Sequence, residues 1–212
     1  MHGRIRWGIW AIPLSGLLST IAALIPGVGI DPSTNPDGFA QLSSNVGLSN
    51  LLGIPALALL LVGVLILYLF LARTSVDGLA FAGFVLIMIG SVLFLPFVGI
   101  YALVGPVSGR HYLNGDRNAV SVLTESTSTT NPSALILGGS AVLSLVTGAL
   151  IIGLAIWRSH SLPRWSGILF AIGIPLGADP FFLYQPTIWV SGGLLLFISG
   201  VWISSRIHKT RN

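Results

Sequence analysis

Apolar blocks and narrow polar bands alternate along this chain. No Asp, Glu, Lys or Arg occurs in 7–30, 38–72, 78–109, 126–157 or 180–205. Each gap exceeds the ~20 residues that carry an α-helix across ~30 Å of hydrocarbon. A sixth gap, 165–178, is 14 residues long and is closed by Asp179. The pattern predicts six helices, at about 7–30, 50–72, 79–104, 133–157, 165–183 and 187–205.

Turn chemistry sets the expected boundaries. Asp31–Ser49 is rich in Pro, Asn, Ser, Asp and Gly and reads as an outer loop, 31–49. Asn50 then caps the second helix, with Pro55 near its first turn. The second and third helices form a hairpin through Arg73 and Thr74–Gly78, and Asp77 is the expected cap of the third. Gly105–Pro132 reads as a second outer loop, 105–132, polar in its first half and rich in Ser and Thr in its second. Pro13 and Pro26 bend or end the first helix. Pro175, Gly177, Asp179 and Pro180 interrupt the fifth.

Composition sharpens this reading. Hydrophobic residues make up 53% of the chain and charged ones 8%, against about 25% in an ordinary water-soluble domain. The expected fold is an all-α, polytopic transmembrane bundle forming one domain, 1–212. With the N-terminus cytoplasmic and six crossings, the inner side holds Arg4, Arg6, Arg73, Arg158, Arg164, Arg206, Lys209 and Arg211, and the outer side Arg110 and Arg117. That asymmetry predicts a multi-pass cell-membrane protein with both termini cytoplasmic. Trp7, Trp157, Trp165, Trp189 and Tyr184 fall at expected helix ends, the depth that amphipathic rings prefer.

Two finer patterns concern packing. Offset by 85 positions, Leu60, Gly63, Leu65, Ile66, Leu69 and Arg73 match Leu145, Gly148, Leu150, Ile151, Leu154 and Arg158. With one deletion in the turn, Gly83, Pro96 and Phe97 match Gly167, Pro180 and Phe181. Helices two and three would then repeat, in parallel, as helices four and five; chance among common apolar residues is the plainer reading. Ser15, Ser19 and Ala23, and likewise Ser140, Ser144 and Gly148, recur every fourth residue, which predicts that both faces point into the bundle.

Candidate chemistry is sparse. The chain has no cysteine, which excludes disulfides, thiolate catalysis and Cys-ligated metals. Its net charge of +4 is scattered over short turns, not gathered into the stripe that nucleic acid requires. Asp179 is the sharpest candidate, because an ionisable group within a membrane segment is expensive and usually has a partner or a task. It lies ~21 Å beyond Trp165 at ~1.5 Å per residue, so a carboxylate at the outer boundary, paired with Arg110 or Arg117, is the plainer reading. Arg110, His111, Asp116 and Arg117, with Glu125, could serve acid–base or metal chemistry, but their spacing matches no known motif and a solvated loop accounts for them. His2, His160 and His208 lie in basic inner segments and read as interfacial. No catalytic residue, cofactor or metal is expected.

The basic start, the Asp31-Pro32 outer loop, the arginine-turn hairpin and the turn Leu162-Pro163-Arg164-Trp165-Ser166-Gly167 resemble small, uncharacterised six-helix prokaryotic membrane protein families. The resemblance implies a topology and no activity. Three functions follow, in order. The first is a non-catalytic accessory, scaffold or regulatory membrane protein, with a membrane-protein partner or a second copy and with anionic lipid at the cytoplasmic face. The second is a small-solute or ion transporter or channel built on Asp179 and the interrupted fifth helix. The third is a membrane enzyme with an outer-loop site around His111.

Overall fold

Asn35 and Asn131 each start a long helix in the same way. Asn35 Oδ1 accepts from Gly38 N at 2.9 Å, and Asn131 Oδ1 accepts from Ser133 N at 3.0 Å. A proline follows each, at the first helical position, where its missing N–H costs nothing. The computed structural model describes residues 7–128, 130–177 and 185–209, and these form helices without strands. The helices are α1 (Ala11–Ala23), α2 (Pro36–Leu71), α3 (Asp77–Leu113), α4 (Asn118–Thr127), α5 (Pro132–Ser159), α6 (Arg164–Gly177) and α7 (Pro186–Lys209). Among the described residues four helices, α2, α3, α5 and α7, are long and apolar enough to cross a membrane.

The helices differ from expectation mainly in length. Most of 31–49 is not loop: α2 starts at Pro36, Asn50 is inside it donating to Val46 O at 2.9 Å, and Pro55 is mid-helix. Likewise α3 runs through Pro96 and Pro106 to Leu113, and α4 occupies most of the rest of 105–132. The prolines and glycines that looked like breaks are packing residues. A Cβ on Gly47 would strike Pro106, and one on Gly109 would strike Ser43. Asp77 lies in the first turn of α3, where its charge suits the helix dipole, but makes no capping hydrogen bond. The first helix is shorter than 7–30: α1 ends at Ala23, and Pro26 and Gly27, the latter at φ 99°, turn the chain. Pro175 lies within α6, which is continuous to Gly177; Asp179, Pro180, Phe181 and Tyr184 lie outside the described residues.

Six helices close into a ring in the order α1, α2, α3, α5, α6, α7 and back to α1. Every seam is antiparallel. Ser49 of α2 donates to Ala22 O of α1 at 2.8 Å, while Gly63, further along α2, meets Ile12. Gly47 meets Pro106 and Gly53 meets Val98 across α2–α3; Gly83 meets Ile152 and Gly90 meets Leu145 across α3–α5. Gly153 faces Gly167 across α5–α6, and Gly173 faces Gly192 across α6–α7. The ring closes where Gly16 packs on Gly193 and Gly200 on Pro13 across α1–α7. Small residues at each seam let the backbones approach and bring their Cα–H groups onto opposing carbonyls.

The small-residue stripes behave differently from each other. Ser15 and Ala23 are buried in the ring, as the four-residue spacing predicts. On α5 only Gly148 is fully buried, Ser144 is half-buried and Ser140 is exposed. Four residues advance a helix by ~40° beyond a full turn, so that stripe rotates out of the contact. The buried face of α5 is Ala141, Leu145, Gly148, Ala149, Ile152 and Ile156. At the 85-residue offset these positions correspond to Ala56, Leu60, Gly63, Val64, Leu67 and Leu71, all buried on α2.

The two ends of the ring differ in charge. Among the described residues one end holds Arg73, Arg158, Arg164 and Arg206 with Asp77. The other holds Asp31, Asp37, Asp116 and Glu125 with Arg110 and Arg117. The basic half of the interior is solid: Ile9, Leu67, Leu71, Ile152, Ile156 and Ile203 are all fully buried there.

Candidate functional site

The acidic half of the interior is not solid. It contains a cavity of about 180 Å³ to which all six ring helices contribute: Ser15 and Ser19 from α1, Ser49, Asn50 and Leu60 from α2, Phe94, Val98 and Tyr101 from α3, Leu145 from α5, Ile174 from α6, and Trp189 and Leu196 from α7. No charged side chain and no histidine is among the described residues that line it. Its walls are apolar with a few isolated polar groups, the usual character of a small-molecule site.

Three of those polar groups have partners. Ser49 Oγ is engaged with Ala22 O and Asn50 Nδ2 with Val46 O. The Tyr101 hydroxyl shares a 3.1 Å hydrogen bond with Thr127 Oγ1. Trp189 is different. Its Nε1 is buried and has no hydrogen-bond partner, a state shared among the described residues only with Ser91 Oγ. Trp189 lies in the first turn of α7, at a helix end as the sequence pattern suggested, and it also lines the cavity. Nothing in its own neighbourhood in sequence reveals this, because much of the opposite wall comes from α1 and α2, more than a hundred positions away.

A partial cover lies over the acidic end. Helix α4 buries Val120 and Leu123 against Phe39, Ala40, Val46 and Tyr112, while Ser121, Val122 and Glu125 face outwards. Phe39, Val46, Ile30 and Tyr101 belong both to this cluster and to the cavity wall. Arg117, in the turn before α4, fixes the arrangement. Its Nη1 donates to Asp37 Oδ1 at 3.1 Å and to the Tyr112 hydroxyl at 2.9 Å, and that hydroxyl donates to Asp37 Oδ1 at 3.0 Å. The guanidinium also lies 4.8 Å from the centre of the Tyr112 ring. The Tyr112 hydroxyl first, and the Asp37 carboxylate with it, raise the Arg117 pKa above its ordinary value.

The other outer-loop candidates do not converge. Asp116 Oδ1 accepts from Asn118 N at 3.2 Å, a local turn that leads into α4. Arg110 and His111 are exposed in the last turn of α3, where positive charge suits the helix dipole. Among the described residues no three His, Asp or Glu side chains gather as a metal site would require. Arg117 pairs with Asp37, a residue the charge pattern did not single out; the pairing of Asp179 lies outside the described residues.

At the basic end, Leu162-Pro163-Arg164-Trp165-Ser166-Gly167 has a packing role. His160 adopts a left-handed conformation at φ 51° to end α5. Its Nδ1 is 3.0 Å from Arg164 Nη2, and Arg164 also lies over the Trp157 ring. Ser166 Oγ donates to Pro163 O at 2.6 Å, and Ser166 O accepts from Ser199 Oγ of α7 at 2.8 Å. Comparison of the chain with protein-family models, with curated proteins and with solved structures gives no match.

Proposed function

We propose that this is a non-catalytic, multi-pass protein of the cell membrane, acting as an accessory or regulatory component, with six crossings and both termini cytoplasmic. The observation that carries the reading is the closed ring. Its outward faces present large apolar side chains such as Leu103, Ile136 and Leu143, each about two-thirds exposed or more. Continuous apolar surface of that kind is ordinary against lipid and a liability in water. The more basic end suits the cytoplasmic side, and its arginines suit anionic lipid headgroups. A non-catalytic role is supported by what the polar candidates do: Arg117, Asp37, Asp116, Arg164 and His160 hold turns and helix ends. The matching buried positions of α2 and α5 support reading α2–α3 and α5–α6 as copies of one hairpin.

The absence of cysteine from the sequence makes the test clean. In intact cells an impermeant maleimide should label Asn114→Cys, and should reach Ser75→Cys only after permeabilisation. The reverse result overturns the orientation, and recovery of the chain in the soluble fraction overturns the membrane reading. A chain that purifies only alone and monomeric would argue against an accessory role.

The cavity favours a second reading, a small-solute transporter with Asp179 near its path. That reading requires the solid basic half to open, since Leu67, Leu71, Ile152 and Ile156 now leave no polar route there. Intact solute uptake by Asp179→Asn would remove it.

A further inference from the structure

At the basic end, the turn His160–Pro163 faces Trp202, Ser205 and Arg206 of α7 across an open pocket of about 320 Å³. We propose, on the membrane reading above, that this pocket holds the phosphate of one anionic lipid headgroup. Arg206 and the His160 imidazole bind the phosphate, and the acyl chains lie along the outer face of α7. Three observations converge on that chemistry.

The first is the supply of donors. Arg206 presents five N–H groups in a planar fork that matches phosphate oxygens. His160 Nδ1 is 3.0 Å from Arg164 Nη2. A guanidinium only donates, so Nδ1 accepts and the imidazole proton sits on Nε2. The second ring nitrogen of His160 is therefore a donor. Ser161 Oγ donates to Ser159 Oγ and Ser205 Oγ to Trp202 O, so recognition falls mainly on the two basic side chains.

The second is the lack of a competing carboxylate. No Asp or Glu occurs in 126–178 or 180–212, so neither wall of the pocket carries one. Asp77 is the one acidic side chain at this end among the described residues, and it starts α3. That helix is three steps from α7 in either direction round the ring. Arg158 and Arg164 add positive charge on the other side of the turn, and an anion meets the same sign of potential from each wall.

The third is an apolar track that leads to the pocket. Trp202 lines the pocket and is also exposed. Leu194 and Ile198 precede it at four-residue steps and are exposed too, so the three share one outward face of α7. The exposed rings of Trp157 and Trp165 lie at the same end, which is the depth of lipid headgroups. A free phosphate would use the head site alone, whereas a lipid uses the head site and the track.

The test places the full chain in nanodiscs of equal parts phosphatidylglycerol and phosphatidylcholine. Native mass spectrometry then counts the lipid that stays on the protein. The wild type should retain one phosphatidylglycerol with about tenfold preference, the size expected for one charge-assisted hydrogen bond. Arg206→Gln should reduce that preference several-fold. So should His160→Asn, in which asparagine tolerates the left-handed backbone. Arg73→Gln, at the same end but outside the pocket, should leave it unchanged. Inorganic phosphate at millimolar concentration should not displace the retained lipid. Equal retention of the two lipids by the wild type overturns the proposal, as does an equal loss in Arg73→Gln and Arg206→Gln, which would mark a diffuse attraction to the whole basic face. Displacement by inorganic phosphate would give the pocket to a free anion and overturn the lipid assignment. The wild-type preference needs no variant to fold. A chain found in the soluble fraction fails the membrane reading, whereas a chain that inserts but retains both lipids equally fails only this site.

Discussion

Gly153 and Gly167 face each other so closely that a Cβ on either would lie 2.6 Å from the carbonyl oxygen of the other. The contact is reciprocal, backbone against backbone, and no side chain can move aside to relieve it. Gly83 with Gly148, Gly173 with Gly192, and Gly16 with Gly193 repeat the relationship at three other seams. Gly153→Ala should therefore force α5 and α6 apart and cost at least the ~1–3 kcal/mol typical of overpacking. Gly139→Ala, on the same helix with open space around its Cα, should be neutral or slightly stabilising. Melting of both variants in detergent checks the contrast; equal melting points would mean that the seam yields freely.

Ser91 is 1% exposed, and its hydroxyl has no partner. Removing an unsatisfied buried hydroxyl removes its desolvation cost. Ser91→Ala should stabilise the ring by about 1 kcal/mol. A loss of stability in a denaturation titration would show that the hydroxyl has a partner in solution.

The Asp37, Tyr112 and Arg117 cluster ties the start of α2 to the turn that leads into α4. Both members of the ion pair are largely exposed, so Asp37→Asn should leave the global melting point almost unchanged. The local effect should be larger. Amide exchange across Asn118–Thr127 should speed up while α5 stays protected, and raising salt on the wild type should act in the same direction. Unchanged exchange in α4 would show that Val120 and Leu123 alone hold the cover.

Asn35 and Asn131 supply the side-chain caps of α2 and α5. Each change to Ala should cost about 1 kcal/mol. Asn35→Ala should also loosen Phe39 and Ala40, which α4 packs against. Hydrogen exchange localised to 36–42 is the measurement; a uniform change across the chain would contradict a capping role.

The cap residues also show where reading the chain alone runs out. Apolar blocks free of charge located the cores of the long helices, and the expected turn at Thr74–Gly78 overlaps a true one that ends at Val76. The error lay at the ends. Asn35-Pro36-Asp37-Gly38 has turn composition, yet Asn before Pro is equally a helix start, and Phe39, Ser43, Val46 and Asn50 continue it at helical spacing. Gly105, Pro106 and Gly109 likewise resemble a break, because their real partners, Phe39, Gly47 and Ser43, lie about sixty residues earlier. The cavity could not be read in advance at all. Its walls draw a few residues from each of six helices, and no short motif encodes such a convergence. Arg117 was visible as a candidate, but its tie to Asp37 depends on α2 beginning one full turn of loop sooner than the polar composition suggests.

The seam between α1 and α7 has a temporal side. Ser204 Oγ donates to Ile9 O across 195 residues of chain. At translation rates of about 5–20 residues per second, roughly 10–40 s separate the emergence of those two residues from the ribosome. Throughout that interval Gly16 and Pro13 present a bare backbone groove with its eventual occupant not yet made, so α1 keeps one face without its partner until α7 has been synthesised.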